Sequence, residues 1–254
     1  MSALLAVSGL SMRFGGLLAV DGVSFNVERD QVMAIIGPNG AGKTTVFNCI
    51  SGFYRPTTGR VVLDGEPIDG LPSHQIARRG LVRTFQNVRL FKNMTVVENL
   101  LVSQHIQLVT NLWSGLVKTP GYRSAERHAL ERAAFWLDKV ELLALANREA
   151  GNLAYGQQRR LEIARCMITN PKLLLLDEPA AGLNLQETRQ LDRLIIELRQ
   201  AHGVSVLLIE HDMSLVMGIS DKVLVMEYGR PIAVGTPAEV RANPEVIRAY
   251  LGEA

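Results

Sequence analysis

One segment constrains this chain more than any other, Gly37-Pro38-Asn39-Gly40-Ala41-Gly42-Lys43-Thr44. The apolar run Val32 to Ile36 precedes it, and Thr45-Val46-Phe47-Asn48-Cys49-Ile50, which reads as the first turns of a helix, follows it. A Gly-x-x-x-x-Gly-Lys-Thr loop between a strand and a helix is the context in which this pattern holds phosphate. The glycines let the backbone turn tightly and approach anionic oxygens, while exposed amides and the helix N-terminus present positive charge to a β-phosphate. Lys43 is then expected to bridge β- and γ-oxygens, the Thr44 hydroxyl to hold Mg²⁺, and Thr45 to complete the nucleotide-binding set. A glycine-rich turn carrying a solvated lysine would account for neither flank.

A second feature lies far along the chain. Leu173-Leu174-Leu175-Leu176-Asp177-Glu178 sets two carboxylates directly after a buried strand. By itself such a run is most simply a strand meeting solvent. Paired with the loop, it places Asp177 in reach of the Mg²⁺ shell and Glu178 where it can polarise an attacking water as general base. A carboxylate base fits a hydrolase better than a phosphotransferase.

Short apolar, β-branched runs recur with turn residues between them: Leu4 to Val7, Val32 to Ile36, Val61 to Leu63, Leu173 to Leu176, Val204 to Ile209 and Val223 to Met226. These read as strands. The runs ending at Ile36, Leu176 and Ile209 do not alternate, as expected of parallel strands buried on both faces, and ligands of such α/β sheets bind at the strand C-termini. Pro/Gly-rich turns between Arg55 and Pro72 flank short strands and imply an antiparallel layer beside the main sheet. From Thr95 to Ile168 strand signals are weak. Ser124 is expected to cap a helix with apolar positions Leu130, Ala133, Ala134, Leu137 and Val140, so the middle third reads as a helical subdomain, roughly residues 88–168, inserted in an α/β core. Thr236-Pro237-Ala238-Glu239 has the form of a capping box with proline at the first helical position. The sequence shows no internal repeat and one nucleotide loop, so residues 1–254 read as a single nucleotide-binding domain.

Composition removes several classes. With 27 Lys plus Arg against 25 Asp plus Glu, a net charge of +2 gives no electrostatic reason to expect nucleic acid. Cys49 and Cys166 form no Cys-x-x-Cys or Cys/His spacing, which fits a reducing cytosol. The N-terminus lacks the basic flank and apolar region of a signal peptide, so the Asn93-Met94-Thr95 sequon carries no weight. Even Val96 to Val117 is interrupted by Glu98, Gln104, His105, Gln107 and Asn111, short of the ~20 apolar residues a membrane span needs. A membrane role would be peripheral.

Four further segments carry a resemblance to the ATP-binding cassette (ABC) family along essentially the whole length. Leu153-Ala154-Tyr155-Gly156-Gln157, ahead of Gln158-Arg159-Arg160-Leu161-Glu162-Ile163-Ala164-Arg165, resembles that family's signature motif and its helix. Gln86, in Arg83-Thr84-Phe85-Gln86-Asn87, matches the family's glutamine loop, which links Mg²⁺ or water to the helical subdomain. His211, in Leu208-Ile209-Glu210-His211-Asp212, matches the switch histidine at the γ-phosphate. Phe14 falls where members stack an aromatic on adenine, although a lone Phe is as often core. The resemblance implies an α/β fold, a P-loop NTPase with a RecA-like parallel sheet core, hydrolysing ATP with Mg²⁺. It also implies that the signature of one chain faces the γ-phosphate held by another, so that a homodimer or a heterodimer with a second ABC ATPase closes on two ATP. Closure drives transmembrane permease subunits, docked on the segment after Gln86, for which Asn87 to Leu101 is nominated, with Val96, Val97, Leu100 and Leu101 as core in the competing reading.

The signature helix, Asp-Glu-Pro-Ala-Ala-Gly-Leu-Asn over 177–184, the long insert with Trp113 and the ending Ile247-Arg248-Ala249-Tyr250-Leu251-Gly252 resemble the LivG-type ATP-binding subunits of bacterial branched-chain amino acid importers. Those work at the cytoplasmic face of the inner membrane with a similar second ATPase, two permeases and a periplasmic binding protein. The chain departs from most cassettes in having Ala154 for serine and Asn184 for aspartate. Losing the serine's bond to a partner's γ-phosphate leads to the expectation of an asymmetric dimer with one slower site. The competing expectations are an ABC ATPase for another amino acid or small solute, and a soluble, non-transport ABC ATPase. A GTPase would want an Asn-Lys-x-Asp segment after a strand, which is absent, and neither a GTPase nor a nucleotide kinase on the same loop explains Leu153 to Gln157. Glu178 and His211 speak against a module that has lost hydrolysis. The end soon after the last helix is expected to leave no appended regulatory domain.

Overall fold

The structure, a computed structural model, describes residues 3–104 and 120–251; Trp113 and Gly252 lie outside the described residues. The chain forms two compact units, one of residues 1–86 with 172–254 and one of residues 87–171.

The first unit is built on a six-stranded sheet of order β10-β9-β3-β8-β7-β6. Its strands are β3 (Val32–Ile36), β6 (Leu81–Arg83), β7 (Leu173–Asp177), β8 (Ser205–Ile209), β9 (Lys222–Glu227) and β10 (Arg230–Gly235). All but β10 run parallel. Every residue of β3, β7 and β8 is buried, which is why these segments read as unbroken apolar runs. A four-stranded antiparallel sheet of order β2-β1-β4-β5 accompanies it, from β1 (Leu5–Phe14), β2 (Leu17–Val27), β4 (Thr58–Leu63) and β5 (Glu66–Pro67). The Asp21 amide donates to the Gly229 carbonyl (2.9 Å) between the two sheets. Strands β2, β6 and β10 escaped the reading of the sequence. The first alternates around Asp21 and Gly22, the second is three residues long, and the third is a largely exposed edge strand carrying Pro231.

The helices of this unit are α1 (Lys43–Ile50), α2 (Ser73–Arg78), α6 (Leu185–His202), α7 (Met213–Ile219), α8 (Pro237–Ala242) and α9 (Pro244–Leu251). The expected capping box opens α8: the Thr236 amide donates to Glu239 Oε2 (2.7 Å) and the Glu239 amide to Thr236 Oγ1 (3.3 Å). A second box, unread in the sequence, opens α6. Asn184 Oδ1 accepts from the amides of Gln186 and Glu187, each at 3.0 Å, and the Asn184 amide donates to Glu187 Oε2 (3.0 Å). The side of α6 carrying Leu191, Leu194, Ile195 and Leu198 is buried.

The second unit is helical, with α3 (Val96–Gln104), α4 (Pro120–Lys139) and α5 (Tyr155–Met167). Ser124 does not cap α4 but lies inside it, since the helix already includes Pro120. Ala133, Leu137 and Val140 are buried as their spacing requires, whereas Leu130 is exposed. In the nominated stretch Asn87 to Leu101, Val96 and Leu100 are fully buried and so belong to the core of this unit. Val97 and Leu101 are half-buried, and Phe91 and Glu98 are exposed. Cys49 and Cys166 are separate buried thiols, pushed by burial up to about 11 and about 12.

Candidate active site

The loop from Gly37 to Gly42 joins β3 to α1, and its glycines are required by space as well as by conformation. A Cβ on Gly37 (φ 149°) would sit 2.0 Å from the Met226 carbonyl oxygen, and one on Gly42 (φ 92°) 2.6 Å from that of Ala19. The chain reverses within the loop, Ala41 amide to Pro38 carbonyl (3.2 Å), before the helical bond from Val46 to Gly42 (3.0 Å). Lys43 is nearly buried, at 6 % exposure, and its Nζ donates to the carbonyls of Gly37 (2.7 Å) and Pro38 (3.0 Å). Burial holds its pKa below the usual lysine value, opposed by the negative charges of Glu178 and Asp177. Those opposing charges place both carboxylates within electrostatic reach of the loop. Thr44 is exposed at the start of α1, with Thr45 beside it half-buried.

Asp177 ends β7, its carboxylate buried against Arg83, whose Nη2 lies 2.6 Å from Oδ2. Glu178, next in the chain, takes a left-handed φ of 47° and fixes that turn by donating its amide to the Ile209 carbonyl (3.0 Å). Its side chain therefore meets groups from two other strand ends. Gln86 Nε2 donates to Glu178 Oε2 (2.8 Å), and His211 Nε2 lies 2.9 Å from Oε1. An ionised carboxylate can only accept, so facing an ionised Glu178 it is His211 Nε2 that carries the hydrogen. Glu210, overlooked in the sequence, is buried beside them. It accepts from the amides of Ala180 (2.7 Å) and His211 (3.0 Å), tying the turn after β7 to the turn after β8. Burial raises its pKa, those amides pull it down, and Glu178 adds to the rise.

Phe14 is not a core residue. At the end of β1 its ring is 41 % exposed and meets Tyr54 edge-on, centroids 5.3 Å apart, so an accessible aromatic pair stands where a single ring was expected. The Tyr250 phenol in α9 is pushed by burial up to about 12, against the opposing pull of the Gly37 amide.

The segment Leu153 to Gln157 belongs to the second unit and opens α5. Leu153 is buried, Ala154 is the N-cap, and Tyr155 is exposed. Since Ala154 has no side-chain oxygen, only half of a capping box forms, from the Ala154 amide to Gln157 Oε1 (3.1 Å). Gly156 is buried and fully buried Arg159 pairs with Glu162 (2.9 Å), which anchors the helix behind the exposed Ala154 and Tyr155.

A strand, glycine-rich loop and helix, with acidic residues at the end of β7, one strand removed from β3 across β8, define a P-loop NTPase. The ABC transporter family model matches residues 20–181, and a model described as branched-chain amino acid ATP-binding cassette transporter matches residues 230–254. Over 251 residues the chain is 66% identical to the high-affinity branched-chain amino acid transport ATP-binding protein BraF of Pseudomonas aeruginosa, covering 99% of this chain and 98% of that one. It is 63% identical to LivG of Escherichia coli, a protein of the same description, with the same coverage. The ADP conformation of MJ1267, an ATP-binding cassette of an ABC transporter, superposes with a TM-score of 0.86 at 35% identity over 100% of both chains. The chain thus belongs to the ABC transporter family and is one of its nucleotide-binding, ATP-hydrolysing subunits. None of its helices, among the described residues, is long and apolar enough to cross a membrane.

Proposed function

We propose that this chain energises the import of branched-chain, hydrophobic amino acids, hydrolysing Mg²⁺·ATP at the cytoplasmic face of a bacterial inner membrane. The observation that carries the hydrolytic reading is Glu178, held between Gln86 and His211 directly after Asp177. Glu178 serves as the base that takes a proton from the attacking water, and His211 orients its carboxylate and faces the γ-phosphate. Gln86 donates to the other carboxylate oxygen and directly precedes, in sequence, the inserted helical subdomain of residues 87–171. Residues 37–45 cradle the phosphates, with Lys43 exchanging its two carbonyl partners for phosphate oxygens. Phe14, paired with Tyr54, stacks on adenine.

The residues suit Mg²⁺. Thr44, Gln86 and Asp177 offer hydroxyl, amide and carboxylate oxygens, the donor chemistry of a hard cation. When bound, the ion supplies charge neutralisation on the phosphates.

The exposed Ala154 and Tyr155 fit the second half of a composite site, in which Leu153 to Gln157 of one subunit closes on the γ-phosphate held by its partner. That partner is a second copy or a homologous ATPase, and the pair docks on permease subunits fed by a periplasmic binding protein. Support for the amino-acid substrate comes from the identity to the two transport proteins. The test is to reconstitute the chain with its permeases and binding protein in liposomes and measure ATP hydrolysis against a panel of solutes. Stimulation by leucine, isoleucine and valine is expected. Stimulation by a different solute class alone would remove the substrate assignment and leave the ATPase reading standing.

A further inference from the structure

Arg83 leaves the sheet at the end of β6, three positions before Gln86, and is almost completely enclosed, its side chain 6 % exposed against 5 % for Asp177. The two ends of its guanidinium point to different elements. Nη2 meets Asp177 Oδ2 at 2.6 Å, while Nη1 donates to Asn48 Oδ1 (2.7 Å) and Ser51 Oγ (2.9 Å). Asn48 lies in α1, the helix that begins at Lys43, and Ser51 caps its end. Three rings surround the cation, with centroids 5.4 Å (Phe47), 5.5 Å (Phe85) and 5.7 Å (Phe53) from the guanidinium carbon. Phe53 and Phe85 also pack edge-on at 5.6 Å.

A planar fork held this way cannot rotate to follow a mobile carboxylate; the carboxylate is held by the fork. We propose that Arg83 is the positioning residue of the metal site: it occupies Asp177 Oδ2, leaves Oδ1 to face the metal, and references that direction to the helix of the phosphate loop. The inference rests on the reading of Asp177 as the carboxylate on the Mg²⁺ side. It also explains why a full positive charge is buried beside a site that receives a cation. Fixing the carboxylate's direction matters more to an ion with strict octahedral demands than the partial loss of negative potential. Partners that orient metal-binding groups in this way are worth roughly 10–100-fold in metal affinity.

The test uses the full chain and Mn²⁺ as probe, titrated by electron paramagnetic resonance in the presence of excess ATP, with a fluorescent ATP analogue titrated separately in EDTA. Arg83→Gln is expected to weaken Mn²⁺ binding by about tenfold or more while metal-free nucleotide affinity stays as in the parent. If Arg83→Gln does not fold, Arg83→Lys decides, since it keeps the positive charge but not the fork that spans Asp177 and α1; the same weakening is expected. Asp177→Asn is the control. Should it bind Mn²⁺ as the parent does, the assignment of Asp177 falls and the inference with it. Should Asp177→Asn weaken Mn²⁺ while the Arg83 variant only lowers the unfolding temperature, Arg83 is a structural ion pair and the inference alone is overturned.

Discussion

Glu178 Oε1 and His211 Nε2 lie 2.9 Å apart, although β7 and β8, the strands that deliver them, are joined by the whole of α6. Strand pairing makes this possible. In the parallel register of β7 on β8, Asp177 lies opposite Ile209, so the residues just past both ends emerge side by side. The Glu178 amide bond to the Ile209 carbonyl then locks the registry.

Replacing Glu178 by Gln tests its role as base. The amide keeps the shape and can still accept from His211, but it does not take a proton from water. Hydrolysis is expected to fall by about 10²–10⁴-fold with ATP binding retained and the ATP-bound dimer accumulating. Phosphate release by the assembled transporter and size-exclusion chromatography with ATP measure the two effects. Parental turnover would remove Glu178 from the mechanism.

Glu210 makes stability depend on pH in a direction opposite to most carboxylates. Its folded pKa lies above the unfolded value of about 4.3, chiefly through burial, so the folded state binds the proton more tightly. The stabilisation from this group is therefore complete below the unfolded pKa and declines as pH rises through the folded one. Glu210→Gln has no such decline. Urea unfolding of both proteins from about pH 4 to 7 is expected to show the parent's advantage shrinking as pH rises; a constant difference would refute the account.

The loop, the acidic strand end and the three parallel strands β3, β7 and β8 were legible because burial on both faces leaves unbroken apolar text, and the loop's spacing matches a phosphate-binding pattern. Gln86 and His211 could be named only through family likeness, since one polar residue after a strand has no periodicity. Arg83 and Glu210 went unread for a related reason. Arg83 is held by side chains more than thirty residues away in sequence, and Glu210 in part by the Ala180 amide of a distant turn, and such partners leave no local trace. The one signal was a charge inside otherwise apolar strand text, in Leu81-Val82-Arg83 and Leu208-Ile209-Glu210. Phe14 was undecidable until its exposure was known.

Asn184 stands where most cassettes have aspartate, and the structure gives it a structural task. Its Oδ1 satisfies two amides at the start of α6. Asn184→Ala is expected to cost about 1 kcal/mol in thermal or urea unfolding, whereas Asn184→Asp, an equally good cap, should lie within a few tenths of a kcal/mol of the parent. If alanine is tolerated without loss, the cap does not contribute.

Ala154 separates structural from catalytic consequences, because Ala154→Ser adds one oxygen with two distinct uses. Within the chain, that hydroxyl can accept from the Gln157 amide and complete the box whose other half is already formed by Gln157 Oε1. Helix α5 should gain about 1 kcal/mol, readable in unfolding of the isolated chain. In the proposed composite site the same hydroxyl faces a partner's γ-phosphate, and a hydrogen bond to a charged group contributes about 1.5–3 kcal/mol. That corresponds to roughly a tenfold or greater increase in rate at the site Ala154 completes, if the bond forms in the transition state. The two effects come apart experimentally: stability changes without any partner, while the rate changes only in the assembled transporter. A more stable chain with unaltered assembled ATPase activity would show that serine here only caps a helix, and the expectation of a slower site completed by Ala154 would fail.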